Sequence, residues 1–309
     1  MDVLRMQNLS KNFGETQVIK GISLAVPEGS VFGFLGANGA GKTTTMKMAL
    51  GLLKPCGGEV FVCGERVRFG MTDTNRYVGY LPDVPEFYTY MRPKEYLRLC
   101  GEVAGLSAAA IKSRSKKLLE LVGLSETNKK IGSFSRGMKQ RLGVAQALIN
   151  QPKLLICDEP TSALDPVGRK EILDILKQIR GETTVIFSTH ILSDVERICD
   201  RAALLHGGKI VLEGSLADLK ARHQTDSLHI EFASAADRAR FCKQAPAELL
   251  GGMEGFETED SETELTLHAR DIASAQKAVL QVLWQHTILP NRFELLAPTI
   301  ENLFLEAVQ

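Results

Sequence analysis

The sequence lacks any uninterrupted apolar run long enough to cross a bilayer, for which about 18 consecutive positions are needed. Residues 1–6 include an early acid and lack the apolar centre of a secretion signal. We therefore expect a cytosolic chain that does not span a membrane by itself.

The sequence also has no net charge and no cysteine framework. Its 37 basic and 37 acidic residues cancel to a formal net charge of +0, so no global field attracts nucleic acid, and we expect no nucleic-acid partner. The 6 cysteines show no C-x-x-C spacing and are too sparse for a disulfide scaffold. We expect reduced, mostly buried thiols, with Cys157 as a small core residue in an apolar strand.

A glycine-rich segment follows a short apolar run near the start of the chain. Residues 36–43 read GANGAGKT and fit the pattern GxxxxGK(S/T), directly after a predicted buried strand over residues 31–35. The glycines allow a tight turn that points successive N–H groups at phosphate oxygens, where a helix over residues 43–50 begins. Lys42 would reach the β- and γ-phosphates, and the Thr43 hydroxyl would bind Mg²⁺. The predicted nucleoside triphosphate site consists of Gly36, Ala37, Asn38, Gly39, Ala40, Gly41, Lys42, Thr43 and Thr44.

Two adjacent carboxylates, Asp158 and Glu159, end a second predicted buried strand. The carboxyl ends of parallel strands form the ligand crevice of a doubly wound sheet. Asp158 would anchor Mg²⁺ through a coordinated water, and Glu159 would polarise the water that attacks the γ-phosphate. Alone, such a pair also fits a solvated strand end, but downstream of a phosphate loop it predicts a hydrolysis site.

A third predicted strand, residues 183–189, ends at His190. This histidine would lie on the same side of the sheet and hydrogen-bond the γ-phosphate and the attacking water. A lone histidine at a strand end is also typical of a solvated or capping residue. The two preceding motifs favour the catalytic interpretation.

Residues 134–141 read FSRGMKQR and precede an apolar-periodic helix over residues 142–148. This segment resembles the LSGGQ signature of the ATP-binding cassette (ABC) ATPases, although Arg136 and Met138 replace Gly and Gln. The resemblance implies that Ser135 and Gly137 bind a γ-phosphate held by the other subunit of a head-to-tail dimer. Alone, the segment would be read as an N-cap. The predicted contacts across the dimer are Ser135, Arg136, Gly137, Met138 and Asp165.

The resemblance extends over about residues 1–220. It implies that Phe13 stacks on adenine, that Val18 flanks the same base, and that residues 162–165 form the D-loop. Asp83 occupies the position of the Q-loop glutamine, where an acid can contact Mg²⁺ or its waters. The predicted metal ligands are Thr43, Asp158 and Asp83.

The predicted fold class is α/β. The resemblance implies a P-loop ABC ATPase core over residues 1–220, with a mixed sheet flanked by helices, an antiparallel β subdomain and a helical subdomain at about residues 84–150. Period-2 alternation and a helical stripe after residue 221 predict a small C-terminal α+β domain over residues 221–309. Residues 298–305 resemble the closing helix of the accessory domain in drug-resistance-type exporter subunits, and the acid-rich residues 254–264 fit a solvated loop and strand face.

These features predict an ATPase subunit that dimerises around two MgATP and drives a separate integral membrane permease, with a copy of itself as the second subunit. The family resemblance implies export of a drug-like, peptide, lipid or ion cargo. It also implies that the chain lies on the cytoplasmic face of the cell membrane, bound through its membrane partner. A soluble ABC ATPase acting on ribosomes or DNA is an alternative, although the sequence shows neither a repeat nor sustained heptads. A regulatory module with low turnover is another alternative, which Asp83 and Met138 favour and Glu159 and His190 oppose.

Overall fold

The computed structural model describes residues 2–71, 73–222, 226–245, 256–257, 261–269 and 272–296. The chain divides into two compact units, the first extending to Leu216 and the second beginning at Ala217. This division falls a few residues before the predicted boundary at residue 221. In the described ranges, no helix is both long and apolar enough to cross a bilayer.

The first unit contains two sheets and the helices that cover them. Its strands are β1 (Asp2–Phe13), β2 (Thr16–Pro27), β3 (Val31–Leu35), β4 (Gly57–Val62), β5 (Glu65–Arg66), β6 (Val78–Leu81), β7 (Leu154–Asp158), β8 (Thr184–Thr189), β9 (Arg201–His206) and β10 (Lys209–Ser215). Its helices are α1 (Lys42–Ala49), α2 (Pro93–Val103), α3 (Ala108–Leu121), α4 (Arg136–Ala147), α5 (Pro166–Gln178) and α6 (Leu192–Ile198), and α7 (Leu216–Arg222) spans the division between the units. One sheet has the order β2-β1-β4-β5 and is antiparallel, and the other has the order β10-β9-β3-β8-β7-β6.

The larger sheet is mixed, as the family resemblance implied. Strand β3 pairs in parallel with β8 and β9, and β7 pairs in parallel with β6 and β8, whereas β10 is antiparallel to β9. Every residue of β3, β7 and β8 is buried, which explains their apolar runs. Leu35 lies opposite Thr189, and Asp158 lies opposite Ser188. The ends of the three predicted strands therefore meet at one edge of the sheet.

Helices α2, α3 and α4 build the predicted helical subdomain. Helices α2 and α3 approach closely at Gly101, where a Cβ would lie 2.7 Å from Ile111 Cγ1. Helix α4 begins at Arg136, so the basic stretch of the signature segment is already helical. Ser135 precedes it in an extended conformation and caps it.

The prediction of mostly buried cysteines is wrong. All six are free thiols, but Cys157 alone is buried, and Cys56 and Cys242 are exposed. Apolar residues outnumber the positions that the core can hold, and a cysteine in an exposed turn or on an exposed helix face loses little by contacting water.

The second unit is a small α+β domain, as predicted. It contains β11 (Asp226–Phe232), α8 (Ala235–Gln244), β12 (Phe256–Glu257), β13 (Glu264–Ala269), α9 (Ile272–Gln285) and β14 (Pro290–Leu296). The sheet is antiparallel, with the order β12-β13-β11-β14. Its core includes Leu228, Phe241 and Val279. The predicted closing helix at residues 298–305 lies outside the described residues, as does much of the acid-rich segment 254–264.

Candidate active site

The phosphate-loop residues lie between β3 and α1. Gly41, the residue before α1, has a φ of 107°, and a Cβ there would lie 2.5 Å from Ile19 Cδ1. A Cβ on Gly36 would lie 2.7 Å from the carbonyl oxygen of Leu205. Both positions therefore require glycine. Gly41 caps α1 without a side-chain hydrogen bond, which leaves the first N–H groups of the helix available to phosphate oxygens.

Lys42 lies across this loop with its ammonium group buried. The side chain is 5% exposed, and Nζ pairs with Glu159 Oε1 at 3.0 Å. Nζ also donates to the carbonyl oxygens of Gly36 at 2.7 Å and Ala37 at 3.1 Å. A buried ammonium group needs such acceptors, and nucleotide phosphates would be stronger ones. The predicted phosphate-binding lysine therefore contacts the predicted hydrolytic acid.

Glu159 contacts His190 as well as Lys42. His190 Nδ1 lies 2.9 Å from Glu159 Oε2, so one carboxylate joins the phosphate loop to the end of β8. The backbone of Glu159 has a φ of 48°, a left-handed conformation that is uncommon outside glycine. Its N–H donates to the carbonyl oxygen of Ser188 at 3.1 Å and to Ser188 Oγ at 3.0 Å. The structure thus brings Glu159 into direct contact with both Lys42 and His190.

Asp158 is buried beside this cluster and is held by the same serine. Its side chain is 3% exposed, and its Oδ1 accepts from Ser188 Oγ at 2.6 Å. Burial, together with the charge of Asp158, raises the pKa of Tyr80 to about 12. Sequence reasoning missed Ser188, which positions both neighbouring acids. The available signal was a hydroxyl inside an otherwise apolar strand, because a buried hydroxyl needs a partner.

The three predicted metal ligands offer oxygen atoms, which Mg²⁺ prefers. Asp83 follows β6, and its Oδ1 is buried and has no hydrogen-bond partner. Such an orphaned acceptor fits a metal-bound water as donor. In the described ranges, no group of three or more His, Cys, Asp and Glu side chains is arranged to hold a metal ion by itself. Thr43, Asp158 and Asp83 therefore fit Mg²⁺ only together with the phosphate oxygens of a nucleotide.

Asp83 also has a basic neighbour. Arg136, the first residue of α4, has its guanidinium 3.7 Å from Asp83 Oδ1. Burial raises the pKa of Asp83, and Arg136 opposes that rise, whereas the charges of Asp158 and Glu159 add to it. Two of the departures from the family motifs, Asp83 and Arg136, thus lie next to each other and carry opposite charges.

The signature residues form the exposed start of α4. Ser135 Oγ accepts from the N–H of Met138 at 3.2 Å, and both Ser135 and Arg136 are exposed. A Cβ on Gly137 would meet no atom within 4 Å. Packing in the described part of the chain therefore does not explain this glycine. Among described residues, no hydrogen bond or ion pair joins these residues to Lys42, Glu159 or His190, so their role across a dimer stays a prediction.

Asp165 is the N-cap of α5. Its Oδ1 accepts from the N–H of Gly168 at 3.1 Å, and Pro166 is the first helical residue. Ala163, in the same predicted D-loop, has a φ of 51°. The loop therefore turns sharply before the helix, and the role of Asp165 across a dimer stays a prediction.

Phe13 and Val18 lie on the strands beside the phosphate loop. Phe13 ends β1 with 51% of its surface exposed, and Lys11 Nζ lies 5.1 Å from its ring centroid. Val18 is half-buried, and its Cγ1 lies 3.2 Å from the position of a Cβ on Gly41. Phe13 is therefore not a core residue, and its stacking on adenine stays a prediction.

Two family models match the chain. Residues 19–162 match the model described as ABC transporter, and residues 214–308 match the C-terminal domain of the DrrA1-3-like ATP-binding proteins. The uncharacterized ABC transporter ATP-binding protein YhcH of Bacillus subtilis is 34% identical over 307 residues, covering 98% of this chain and 95% of YhcH. The chain belongs to the ABC transporter ATP-binding proteins.

Relatives of this ABC family include proteins with a transport function in their names. The bacitracin transport ATP-binding protein BcrA of Bacillus licheniformis is 39% identical over 225 residues, or 72% of each chain. The Nod factor export ATP-binding protein I of Cupriavidus pinatubonensis is 39% identical over 219 residues, 70% of this chain and 67% of that protein. A solved ATP-binding subunit of an ABC transporter superposes with a TM-score of 0.65 and 32% identity, covering 71% of this chain and 92% of the other.

As an ABC transporter ATP-binding protein, the chain binds ATP and is an ATPase whose hydrolysis is coupled to transport. The predicted fold class is confirmed by the solved ABC cassette. The resemblance to drug-resistance-type subunits is confirmed by the match of the second unit.

Proposed function

We propose that this chain is the ATP-hydrolysing subunit of an ABC exporter and that Lys42, Glu159 and His190 form its hydrolytic centre. The contact of one Glu159 carboxylate with both Lys42 Nζ and His190 Nδ1 carries this proposal. It joins a phosphate-binding cation, a base and a hydrogen-bonding imidazole at the carboxyl ends of parallel strands, where such sheets bind ligands.

In this proposal, ATP binding changes the acceptors of Lys42. The β- and γ-phosphates become partners of Nζ, and Glu159 is released to accept a hydrogen bond from a water molecule. The water oxygen forms a bond to the γ-phosphorus while the bond from that phosphorus to the β–γ bridging oxygen breaks, giving ADP and phosphate. Glu159 takes the proton of the water, and His190 orients the water and the γ-phosphate.

The same proposal assigns Mg²⁺ to Thr43, Asp158 and Asp83. The ion, when bound, offsets the negative charge of the phosphates. Ser188 holds Asp158 in place through its 2.6 Å hydrogen bond. Asp158 is therefore preorganised to hold a metal-bound water without rearrangement of its side chain.

Two subunits would enclose two ATP molecules, each bound between one phosphate loop and the partner's Ser135 and Gly137. The open space at Gly137 and the exposed hydroxyl of Ser135 support this arrangement. The second subunit would be a copy of this chain, since one chain carries both halves of the predicted site.

A separate integral membrane permease would receive the conformational change, and the chain would then lie on the cytoplasmic face of the membrane. Val84, Tyr88 and Tyr90, at the start of the helical subdomain, are 62%, 53% and 64% exposed. Exposed aromatic and aliphatic side chains of this kind are typical of protein interfaces. The names of BcrA and of the Nod factor export protein support export of a drug-like, peptide or lipid cargo. An ion is the fourth class of cargo in this proposal.

The test is a pull-down of the tagged chain from gently solubilised membranes of the native host. Glu159→Gln with ATP would hold the closed dimer, and Lys42→Ala is the matched variant whose weakened ATP binding disfavours closure. We expect a stoichiometric polytopic membrane protein with both variants. Recovery of ribosomes or nucleic acid instead would contradict the exporter proposal and favour the soluble ATPase.

A further inference from the structure

A buried carboxylate outside the hydrolytic cluster connects the segments that carry Glu159 and His190. Asp194 lies in α6, four residues after His190, and is 1% exposed. Its Oδ2 accepts from Thr161 Oγ1 at 2.7 Å, and its Oδ1 accepts from Arg169 Nε at 2.6 Å. A carboxylate this deeply buried depends on such partners. Each partner belongs to a different element.

These partners fix the turn that follows Glu159. Thr161 is two residues after Glu159 and is 2% exposed. Glu159 has a φ of 48° and Ala163 has a φ of 51°, so a left-handed residue precedes and follows Thr161. Such conformations persist only where surrounding contacts hold them. The hydrogen bond from Thr161 to Asp194 supplies one of those contacts.

Arg169 extends the same connection to α5, the helix that Asp165 begins. Its guanidinium donates to Asp194 and also to Ser193 Oγ at 2.7 Å. The carboxylate of Asp194 therefore links three segments: the turn after β7, helix α5 and the start of α6. Glu159 precedes the first of these segments and His190 precedes the last.

We infer that Asp194 is a positioning residue for ATP hydrolysis, which keeps the Glu159 carboxylate and the His190 imidazole at the 2.9 Å separation of their contact. The inference rests on the proposed catalytic roles of Glu159 and His190. The inference adds to these two residues a third, Asp194, that would touch neither the nucleotide nor the attacking water. Asp194 acts by orienting two loops whose side chains do.

The structure offers a matched control for a purely structural role. Asp174 in α5 pairs with Arg197 in α6 at 2.9 Å, and these side chains are 52% and 40% exposed. This pair joins the same two helices as Arg169 and Asp194, but it does not contact the turn after Glu159. Its loss would weaken the helix contact and leave the hydrolytic loops in place.

The first test compares Asp194→Asn with Asp174→Asn in steady-state ATP hydrolysis, below the unfolding temperature of each variant. We expect Asp194→Asn to lower kcat by about 10- to 100-fold, as small misplacements of catalytic groups do, with KM for ATP nearly unchanged. Asp174→Asn should leave both constants near the wild-type values. Equal kcat for the two variants at matched folded fractions would overturn the inference.

A second pair of variants keeps the test decisive if Asp194→Asn does not fold. Thr161→Val keeps the shape of the side chain but removes the hydroxyl, whereas Thr161→Ser keeps the hydroxyl. We expect the valine variant to lose turnover and the serine variant to retain it. Equal turnover of the two would contradict the inference.

A double-mutant comparison separates this inference from the proposed function. If Asp194 acts through His190, adding Asp194→Asn to His190→Ala should lower kcat little further. Independent, multiplicative losses would overturn the positioning role. Normal turnover of both His190→Ala and Glu159→Gln would instead refute the proposed catalytic roles on which the inference depends.

Discussion

The carboxylate of Glu159 contacts two partners, Lys42 and His190. A bound triphosphate would compete with Glu159 for the ammonium group of Lys42. The lysine charge is offset by the acid and by two carbonyl oxygens of the loop. The same contact keeps Glu159 close to the phosphate loop. In the proposed mechanism, ATP binding and activation of Glu159 as the base are therefore two consequences of one exchange of hydrogen bonds.

For single residues, we predict that Glu159→Gln lowers kcat for ATP hydrolysis by about 100-fold or more, which is the range of general base catalysis. Glutamine keeps the size of the side chain but cannot accept the proton. ATP binding and ATP-dependent dimerisation should persist, which light scattering with and without ATP would measure. Normal turnover in this variant would remove Glu159 from the catalytic role.

Lys42→Ala should instead weaken ATP binding itself. A hydrogen bond to a charged group contributes about 1.5–3 kcal/mol, so the loss in affinity should be about 10- to 100-fold, measured by titration with a fluorescent ATP analogue. Lys47→Ala is the control, since Lys47 lies exposed in the last turn of the same helix. Equal affinities for the two variants would contradict the assignment of Lys42.

Most of the candidate site residues could be proposed from the sequence because their motifs combine residue type with a strand end. The contacts between these side chains could not be proposed from the sequence, since they depend on which strands are neighbours and on the path of each loop. Ser188 illustrates the limit: its position in an apolar strand is visible, but its two acidic partners lie at the end of a neighbouring strand, Asp158 as the last residue of β7 and Glu159 directly after it. The proximity of Asp83 and Arg136 is likewise a property of the fold.

Among the elements, α4 is preceded by a residue with one observed and one proposed function. Ser135 caps the helix through the N–H of Met138, and we propose that it also faces a partner's γ-phosphate. A cap and a phosphate contact both use the positive end of the helix, so an alanine variant would not separate them. The test needs a substitution that keeps the helix cap but replaces attraction of the phosphate with repulsion.

Ser135→Asp is that substitution. Aspartate is as good an N-cap as serine, so the free energy of unfolding should change by less than about 0.5 kcal/mol. Its charge would repel the γ-phosphate, and ATP-dependent dimerisation should be lost in light scattering. Ser107→Asp is the control, because Ser107 caps α3 through the N–H of Ala110 without a proposed ligand.

If Ser135→Asp dimerises with ATP as the wild type does, Ser135 does not face a phosphate. If it unfolds in urea at a much lower concentration than Ser107→Asp, the capping interpretation of Ser135 is incomplete. The two measurements therefore address the two functions separately.

The three buried strands predicted for the first unit lie close to their predicted positions, because buried parallel strands carry continuous apolar runs. Strand β3 has the predicted bounds, Val31–Leu35. The start of α4 was harder to place from periodicity, since its first turn is polar and its cap precedes the apolar positions. The exposed cysteines were mispredicted because composition alone does not report which side of a turn or helix faces water.

For the whole molecule, the two units have separate hydrophobic cores. Separate cores are the physical condition for independent folding. We predict that a chain ending at Arg222 folds and that ATP raises its Tm, since a ligand that binds the folded state stabilises it. Differential scanning fluorimetry would measure the shift, with Lys42→Ala in the shortened chain as the control. Loss of the ATP-induced shift in the shortened chain would show that the first unit depends on the second.

The cysteine distribution offers a spectroscopic route to the ATP cycle. Burial raises the pKa of Cys63, Cys100, Cys157 and Cys199, which lowers the thiolate fraction available for alkylation at neutral pH. The two exposed thiols, Cys56 and Cys242, lie one in each unit. Two maleimide dyes, as a donor–acceptor pair, or two maleimide spin labels can therefore be attached to the natural sequence, and the distance between the labels can be followed as ATP is bound and hydrolysed.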